Sequence, residues 1–595
     1  MKHKLLLFFA LTTTFLQAQG FNQYDRLWGT YFGPPIGGTQ KHIVNDDEGN
    51  IITFNGFTHE SNTLGSSSIY NYVQNFIFQS EQISDYSVYD SDFTYFTRFT
   101  PEGVLLQAGI LPYSVKDVQR DQHQNIIILG ETNRTDYGTL NTWLPSVTTL
   151  PLRGQFYSII VKLDQQLNKL WCSYVPTQFP WSGEFSHITI DENDNIYGTG
   201  QTFLRTGIAT ENAYDSTIYQ INSLNTVNTL LYKLNNNGVL QWATYYGLAR
   251  PTAIEVDDDF VYLALYVDEN DLEDSNLPEN YYTTPSAYQN TQSSMVLSKF
   301  DNNTGHRLLS TYFGEETYEG IQSIKKINGY TYILGDVYNM NNVSPWITSN
   351  AYQPIYGNGS NDLYLGKLDD NFNPIWGTYI GGSGYEFATK INFKEQFIYL
   401  SGFTSSPNIT LTEESFDTTF NGNYDSFIMK FNLEGNLVWG SYFGSTEYES
   451  FSSILPVNDQ TFYLLGSTLS PKDITTPGAH RSDFSNYSFP YTGFSPLNSF
   501  LIKFGFNPDL ITSDISTSTL KIYPNPAKDK VYIKGFIHQE SAIEIYNLVG
   551  QKVHNQNVKS GLTQTIDVQF LPKGTYIIKA IDINGKAFQD KLIIK

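Results

Sequence analysis

Trp376-Gly377-Thr378-Tyr379-Ile380-Gly381-Gly382-Ser383-Gly384 decides the fold, because the chain keeps returning to it. The same tract recurs as Trp28-Gly29-Thr30-Tyr31-Phe32-Gly33, Trp171-Cys172-Ser173-Tyr174, Trp242-Ala243-Thr244-Tyr245-Tyr246-Gly247, Ser310-Thr311-Tyr312-Phe313-Gly314 and Trp439-Gly440-Ser441-Tyr442-Phe443-Gly444. A degenerate copy without Trp lies at Leu105–Gly109. Self-similarity at a period near seventy residues marks a repeat architecture. After each tract come two short alternating runs around a tight Asp/Asn-rich turn, as in Ile188–Asp191, Glu192-Asn193-Asp194 and Asn195–Gly200. That is the signature of paired strands. A fourth run precedes the Trp tract and carries a cation: Ile159–Leu163, Leu231–Leu234, Val296–Phe300, Leu363–Leu368, Phe427–Phe431 and Phe500–Phe504, with Arg98 replacing Lys in Tyr95–Phe99. Each period therefore supplies four antiparallel strands.

The two ends of the array are out of phase by one strand. The chain opens with a lone Trp-tract strand near residues 26–32 and closes with a Lys-Phe strand near 500–504 that has no follower. Together they complete one sheet. Closing a ring in this way hides edges that would otherwise template aggregation. The expectation is an all-β chain: a seven-bladed β-propeller closed by N- and C-terminal strands, then a small Ig-like β-sandwich. Its domains are a signal peptide over 1–18, the propeller over 19–508, a linker over 509–519 and the sandwich over 520–595. The recurring Trp and Tyr are expected to pack between neighbouring blades, and the Asp/Asn hairpins to be turn chemistry rather than calcium loops, since they lack the twelve-residue spacing and terminal Glu.

Composition narrows the function classes. In 595 residues, aromatics reach 15% with 43 Tyr and 40 Phe, and only 16% are charged, so a large core is available. The net charge of -23 argues against nucleic acid, which demands cationic surfaces. A single Cys172 excludes an intrachain disulfide and a thiolate zinc site. Residues 1–18, with Lys2, Lys4, an apolar Leu5–Leu11 run and Leu16-Gln17-Ala18, read as a secretory signal peptide. No later run is long enough for a transmembrane helix.

The tract Trp376–Gly384, with Ile398–Thr404, Thr283–Gln289 and Leu365–Asp369, resembles the SBBP-type β-propeller repeat of bacterial secreted proteins. That resemblance spans most of residues 25–505 and implies a fold, not a chemistry. Beyond Asn507-Pro508 the charge reverses: residues 520–595 carry eleven Lys and no Arg against six carboxylates, +5 net, which leaves -28 on the remainder. This segment resembles the type A sorting domain of the type IX secretion system (Por secretion system) of Bacteroidetes. The carrying residues are Tyr523, Pro524, Asn525 and Pro526, the Ile545–Gln551 run with Gly550, and Leu571–Tyr576 with Gly574 and Tyr576. The resemblance implies recognition of residues 520–595 by the type IX machinery, and release from the cell or anchoring at its surface.

A functional site is expected where the long connections between second and third strands (58–93, 132–156, 203–229, 267–294, 336–361, 403–425, 467–498) leave one side of the ring, because loops on rigid scaffolds often carry function. Glu184, Glu319 and Glu386 stand thirteen residues before Tyr197, Tyr332 and Tyr399, and Glu449 precedes Tyr463 with one extra residue. Four equivalent carboxylates are expected around the channel mouth, where they could hold Ca²⁺; a repeated acid in a repeated loop more often accepts backbone N–H bonds. His42 and His187 occupy matching repeat positions without a third metal ligand in sight. No nucleophile elbow, Walker loop or dinucleotide fingerprint stands out, and no catalytic residue is assigned. The leading expectation is a noncatalytic binder or scaffold for an extracellular glycan or protein. Its rivals are a polysaccharide hydrolase or lyase using carboxylates of the same face, and a passive spacer. Perturbed carboxylates or His beside aromatics in a deep pocket would favour the enzyme.

Overall fold

The structure is a computed structural model. It describes residues 24–33, 41–57, 93–147, 156–176, 187–204, 207–220, 227–268, 272, 275–314, 319–338, 346–388, 390–485 and 497–506, and then 521–523, 525–537, 541–547, 551–558, 561–581 and 587–595. The segments expected to be a signal peptide (1–18) and a linker (509–519) lie outside the described residues. The chain divides into two compact units, Met1–Phe506 and Asn507–Lys595.

Among the described residues the first unit holds seven antiparallel sheets. The first sheet is Lys41–Asn45, Ile51–Phe57, Phe93–Phe99 and Leu105–Leu111; the second is Ser114–Arg120, Ile126–Thr132, Tyr157–Leu163 and Lys169–Tyr174. The third is His187–Ile190, Ile196–Thr202, Asn228–Leu234 and Leu240–Tyr245; the fourth is Arg250–Val256, Phe260–Tyr266, Met295–Asp301 and Arg307–Tyr312. The fifth is Glu319–Ile327, Tyr330–Tyr338, Asn361–Leu368 and Pro374–Ile380. In the sixth the inner strand is broken into Glu386–Phe387 and Asn392–Lys394, followed by Phe397–Thr404, Asp425–Asn432 and Leu437–Phe443. The seventh joins Glu449–Asn458, Thr461–Thr468 and Asn498–Phe506 to Tyr24–Phe32 from the other end of the chain.

That last pairing runs from Tyr24 opposite Phe506 to Phe32 opposite Ser499, with Trp28 opposite Lys503 and a bulge before it. The innermost strands of successive sheets touch in order, and the seventh touches the first; between the fifth and sixth, Glu386–Phe387 meets Asn361–Leu368 and the Ile391 amide donates to Ser323 Oγ at 3.1 Å. The ring is closed by its two terminal strands, as the phase offset requires.

The repeated residues are the fasteners of this ring. Trp28, Trp171, Trp242 and Trp376 each donate their indole N–H to a backbone carbonyl in the third-to-fourth-strand turn of the next sheet, at Pro101, Asn236, Asn302 and Leu433 respectively, over 2.9–3.2 Å. The ring lies flat on that turn's glycine: a Cβ on Gly305 would meet Trp242 at 2.7 Å, and Gly305 has φ +70°. Asp-x-x-x-Asn turns close the inner hairpins; Asp191 Oδ1 accepts the Asn193 and Asn195 amides and Oδ2 accepts the Asn195 side chain, all at 2.9 Å.

The long connections do leave at one end, but much of their second halves does not form a face there. In the second to seventh sheets they run back along the outermost strand and cover its edge. In the fourth sheet the Thr284 amide donates to the Ser310 carbonyl (3.0 Å) and the Ser310 amide to Thr284 Oγ1 (3.2 Å). Five residues on, the Gln289 amide donates to Thr311 Oγ1 (2.8 Å) and the Tyr312 amide to the Gln289 carbonyl (3.2 Å). The seventh sheet repeats this through Thr476, Gly29, Arg481 and Thr30, and the second through Thr139, Cys172, Leu144 and Ser173. The hydroxyl within each Trp tract thus satisfies an edge that would otherwise stay open.

The second unit is a sandwich of a three-stranded sheet (Lys521–Tyr523, Lys530–Ile537, Gly561–Asp567) and a four-stranded one (Lys552–Val558, Ser541–Asn547, Gly574–Ile581, Ala587–Ile594). Val531, Ile533, Ile543, Ile545, Ile566, Ile578 and Leu592 fill its core. Among the described residues no helix is long and apolar enough to cross a membrane.

Candidate functional site

A cavity of about 580 Å³ lies on the axis of the ring, lined by the innermost strand of every sheet. It reaches the end where second strands finish and the long connections leave, at Tyr266, Tyr338 and Phe403. Inner strands alternate their side chains between the two faces of each sheet. Here the seven strands deliver different chemistry: Lys41 and His42, Lys116 and Asp117, His187, Arg250 and Glu255, Gln322 and Lys325, Lys390, and finally Ser453 with Ile454.

The lining carboxylates are held by partners. Asp117 pairs with Lys390 at 3.4 Å and accepts the Ile188 amide at 3.3 Å. Glu255 pairs with Lys325 at 2.7 Å, and Asp336 accepts from Gln322 at 2.7 Å. Lys116, also in the lining, pairs with Glu131 at 3.1 Å, a carboxylate outside it. Asp117 lies below the ordinary carboxylate range: burial opposes ionisation, but Lys390, His42, His187 and the Ile188 amide together outweigh it. Burial pushes His42 down to about 4 against the pull of Asp117, so this imidazole is neutral at pH 7, and burial lowers His187 as well. Burial brings Lys41, which donates to Asn55 and Ser499, down to about 7. Asp336 is raised by burial, the Gln322 and Tyr338 hydrogen bonds opposing. Phe387 packs on Phe403 with ring centroids 5.2 Å apart, and Arg250 sits over Tyr266 at 5.9 Å, giving the rim an aromatic character.

The two histidines matched by repeat position both line the axial cavity, and both lie within the field of Asp117. Each pairs with the residue three past the start of its second strand, His42 with Phe54 and His187 with Thr199. Lys390, Asp117, Arg250 and Asp336 were not singled out by sequence. For Asp117 and Arg250 the signal is that inner-strand positions differ from copy to copy; Asp336 comes from a second strand and Lys390 from the break in the sixth inner strand.

The four-glutamate ring is placed differently. Glu184 lies outside the described residues, and Glu319 opens the inner strand of the fifth sheet. Glu386 and Glu449 are fully buried and do not line the cavity. Glu386 accepts from the Thr404 and Ser406 hydroxyls (2.6 and 2.5 Å) and the Gly382 amide (3.1 Å); Glu449 accepts from the Thr468 hydroxyl and the Ser445 amide (2.9 Å). Short neighbouring hydroxyls and loop amides draw these side chains into the sheet seams, away from the mouth.

Among the described residues, Asp121, His123 and Asp194 group their ligand atoms within 4.8 Å. Their lone pairs are already engaged: Asp121 by Lys162 (2.7 Å) and the Asn125 amide, Asp194 by His123 (2.8 Å) and the Gln122 amide. This cluster ties the hairpins of the second and third sheets together.

In the second unit, Asn525 grips the last strand, donating to the Lys591 carbonyl (2.7 Å) and accepting the Ile593 amide (2.9 Å). Tyr576 is buried and donates to the Pro572 carbonyl at 2.8 Å, while Gly574 opens its strand and Tyr523 pairs opposite Tyr532. Pro524 and Gly550 lie outside the described residues.

Comparison with known proteins adds an address. Residues 521–595 match the model of the secretion system C-terminal sorting domain. No curated protein matches the sequence. Solved structures with similar folds include the AfRom2 CNH domain (7% identity, 80% of this chain and 98% of that one, TM-score 0.33). The Synechocystis apocarotenoid oxygenase mutant Trp149Ala matches at 8% identity over 71% of this chain and 92% of that one, TM-score 0.32. The subtype N10 neuraminidase-like protein of A/little yellow-shouldered bat/Guatemala/060/2010 matches at 9% over 65% and 91%, TM-score 0.28. At such scores the architecture rests on the strand pairing described above. The chain carries a type IX secretion sorting domain at its C-terminus, which engages that machinery and directs export to the medium or the cell surface.

Proposed function

We propose that this exported protein is a noncatalytic glycan-binding propeller whose ligand enters the axial cavity. The observation that carries the reading is the convergence of all seven inner strands on one concave pocket with a polar wall and an aromatic rim. Its volume suits one or two sugar rings rather than a protein surface, which needs a broad patch. Five Lys and Arg against three Asp and Glu in the lining, within a chain of net charge -23, favour a saccharide bearing carboxylate or sulfate groups. The lining carboxylates described above are engaged by Lys or Gln, which suits recognition better than proton transfer. Residues 1–18 as signal peptide, the boundaries at 508 and 520, and the likeness of the repeat to SBBP-type propellers all belong to this reading.

One observation favours a second reading, an acidic-polysaccharide hydrolase or lyase: a neutral His42 and a raised Asp336 share a pocket with Tyr338 and Phe387. Calorimetric titration of the intact chain against neutral, carboxylated and sulfated oligosaccharides separates the two. Saturable binding of acidic members, at least tenfold weaker in Arg250→Gln and weakened by salt, supports binding at the cavity. New reducing ends or unsaturated products would move the assignment to the enzyme. Binding that ignores Arg250→Gln, or no binding across the panel, would overturn the cavity as a glycan site.

A further inference from the structure

Two seams of the ring hold a pair of buried carboxylates facing each other. Between the fifth and sixth sheets, Asp362 and Glu386 are both fully buried. Asp362 Oδ2 accepts the Gly357 amide at 2.7 Å and Gln353 Nε2 at 3.2 Å, while Asp362 Oδ1 is buried with no donor. That oxygen is aimed at Glu386: a Cβ built on Gly381 would meet Glu386 Oε2 at 2.6 Å and Asp362 Oδ1 closer still. Between the sixth and seventh sheets the arrangement repeats. Asp425 Oδ2 accepts the Asn421 amide at 2.8 Å, Asp425 Oδ1 has no donor, and a Cβ on Gly444 would meet Glu449 Oε2 at 2.6 Å and Asp425 Oδ1 at 2.7 Å.

Asp362 Oδ1 and Asp425 Oδ1 are thus left without donors, facing Glu386 Oε2 and Glu449 Oε2, which each accept one backbone amide, from Gly382 and Ser445. Two like charges out of water need a compensating positive charge. Glycine at 381 and 444 keeps the intervening space open, since any side chain would fill it. The repeat pattern explains why only these seams are so built: five residues before the repeated Lys, the fifth and sixth sheets have Asp362 and Asp425, whereas the second, third, fourth and seventh have Tyr157, Asn228, Ser294 and Asn498. Burial pushes Asp362 and Asp425 up to about 7 each, opposed by the Gly357 and Asn421 amides and reinforced by Glu386 and Glu449. The second seam also feels Asp417, which stands where the first has Gln353.

We propose that the seams Asp362–Glu386 and Asp425–Glu449 each bind one divalent cation of the calcium class, which joins adjacent sheets. All-oxygen donors select a hard cation, and extracellular modules bind calcium with Kd on the order of 10⁻⁴ to 10⁻³ M. The proposal does not depend on the glycan reading, since these residues do not line the axial cavity. Titration of chelator-stripped intact protein with calcium chloride should give two sites per chain and a rise in Tm through linkage. Asp362→Asn should remove one site and Asp425→Asn the other, each without lowering the calcium-free Tm, because the amide donates to the facing glutamate. Asp417→Asn should weaken only one site. As a check independent of folding in the variants, wild-type crystals soaked in terbium chloride should show anomalous density at both seams. Two results would overturn the proposal: no calcium-dependent Tm shift in wild type, which leaves each pair sharing a proton, or terbium bound only elsewhere.

Discussion

The outer edges of the sheets and the axis of the ring are built by opposite rules. At the edges the same groups recur from sheet to sheet: a Thr or Ser hydroxyl in the Trp tract, a returning Thr, and an indole on the next sheet's turn. On the axis the copies offer different sets: Lys41 and His42 from the first, Lys116 and Asp117 from the second, His187 from the third, Arg250 and Glu255 from the fourth. Repetition here marks what holds the ring, and departure from repetition marks what the ring presents. The seams of the fifth to seventh sheets lie between these extremes, using a repeated Glu with an Asp that only two copies possess.

The comparison can be broken or sharpened in order of expected effect. Removing residues 1–33 takes away the strand that pairs with Asn498–Phe506 and exposes an apolar edge, so cooperative thermal unfolding should be lost. A truncated chain that melts like the full one would mean closure is dispensable. Trp242→Ala deletes a buried ring packed on Gly305 and its bond to Asn302, and should cost about 3–5 kcal/mol by denaturant unfolding. Next comes a pH effect from the axis. The folded His42 titrates near 4 and the unfolded one near 6.5, so between those values the unfolded chain binds a proton that the folded one does not. The His42 contribution to stability should therefore fall as pH drops through that window, by up to about 3 kcal/mol, read as the difference between wild type and His42→Gln because the raised Asp362 and Asp425 act in the opposite direction over the same range. The smallest effect is at the edge: Thr311→Val removes the acceptor of the Gln289 amide and should cost about 1 kcal/mol, seen as faster hydrogen exchange over residues 284–289.

Much of the architecture was legible because the features that build it are periodic. The Trp tracts located the outer strands, and one strand too many at each end located the closure. What stayed hidden depends on contacts between copies. The glutamates were visible as a repeat, but their burial follows from Thr404, Ser406 and Thr468 across the hairpin. Their partners Asp362 and Asp425 come from the preceding sheet, 24 residues upstream in each case, in only two copies. The long connections read as an outward face because they are polar and variable; the edge-covering bonds of Thr284 or Thr476 involve single hydroxyls that carry no periodicity within one strand. The axial residues escaped because variation among copies looks like noise until the strands are seen to converge.

The most direct test measures thermal stability and acidic-oligosaccharide affinity side by side in two variants of the intact chain, Thr311→Val at an edge and Arg250→Gln on the axis. The account predicts that Thr311→Val lowers Tm and leaves affinity unchanged, whereas Arg250→Gln keeps Tm within a degree or two and weakens affinity at least tenfold. Affinity lost through the edge variant and retained in the axial one would contradict it.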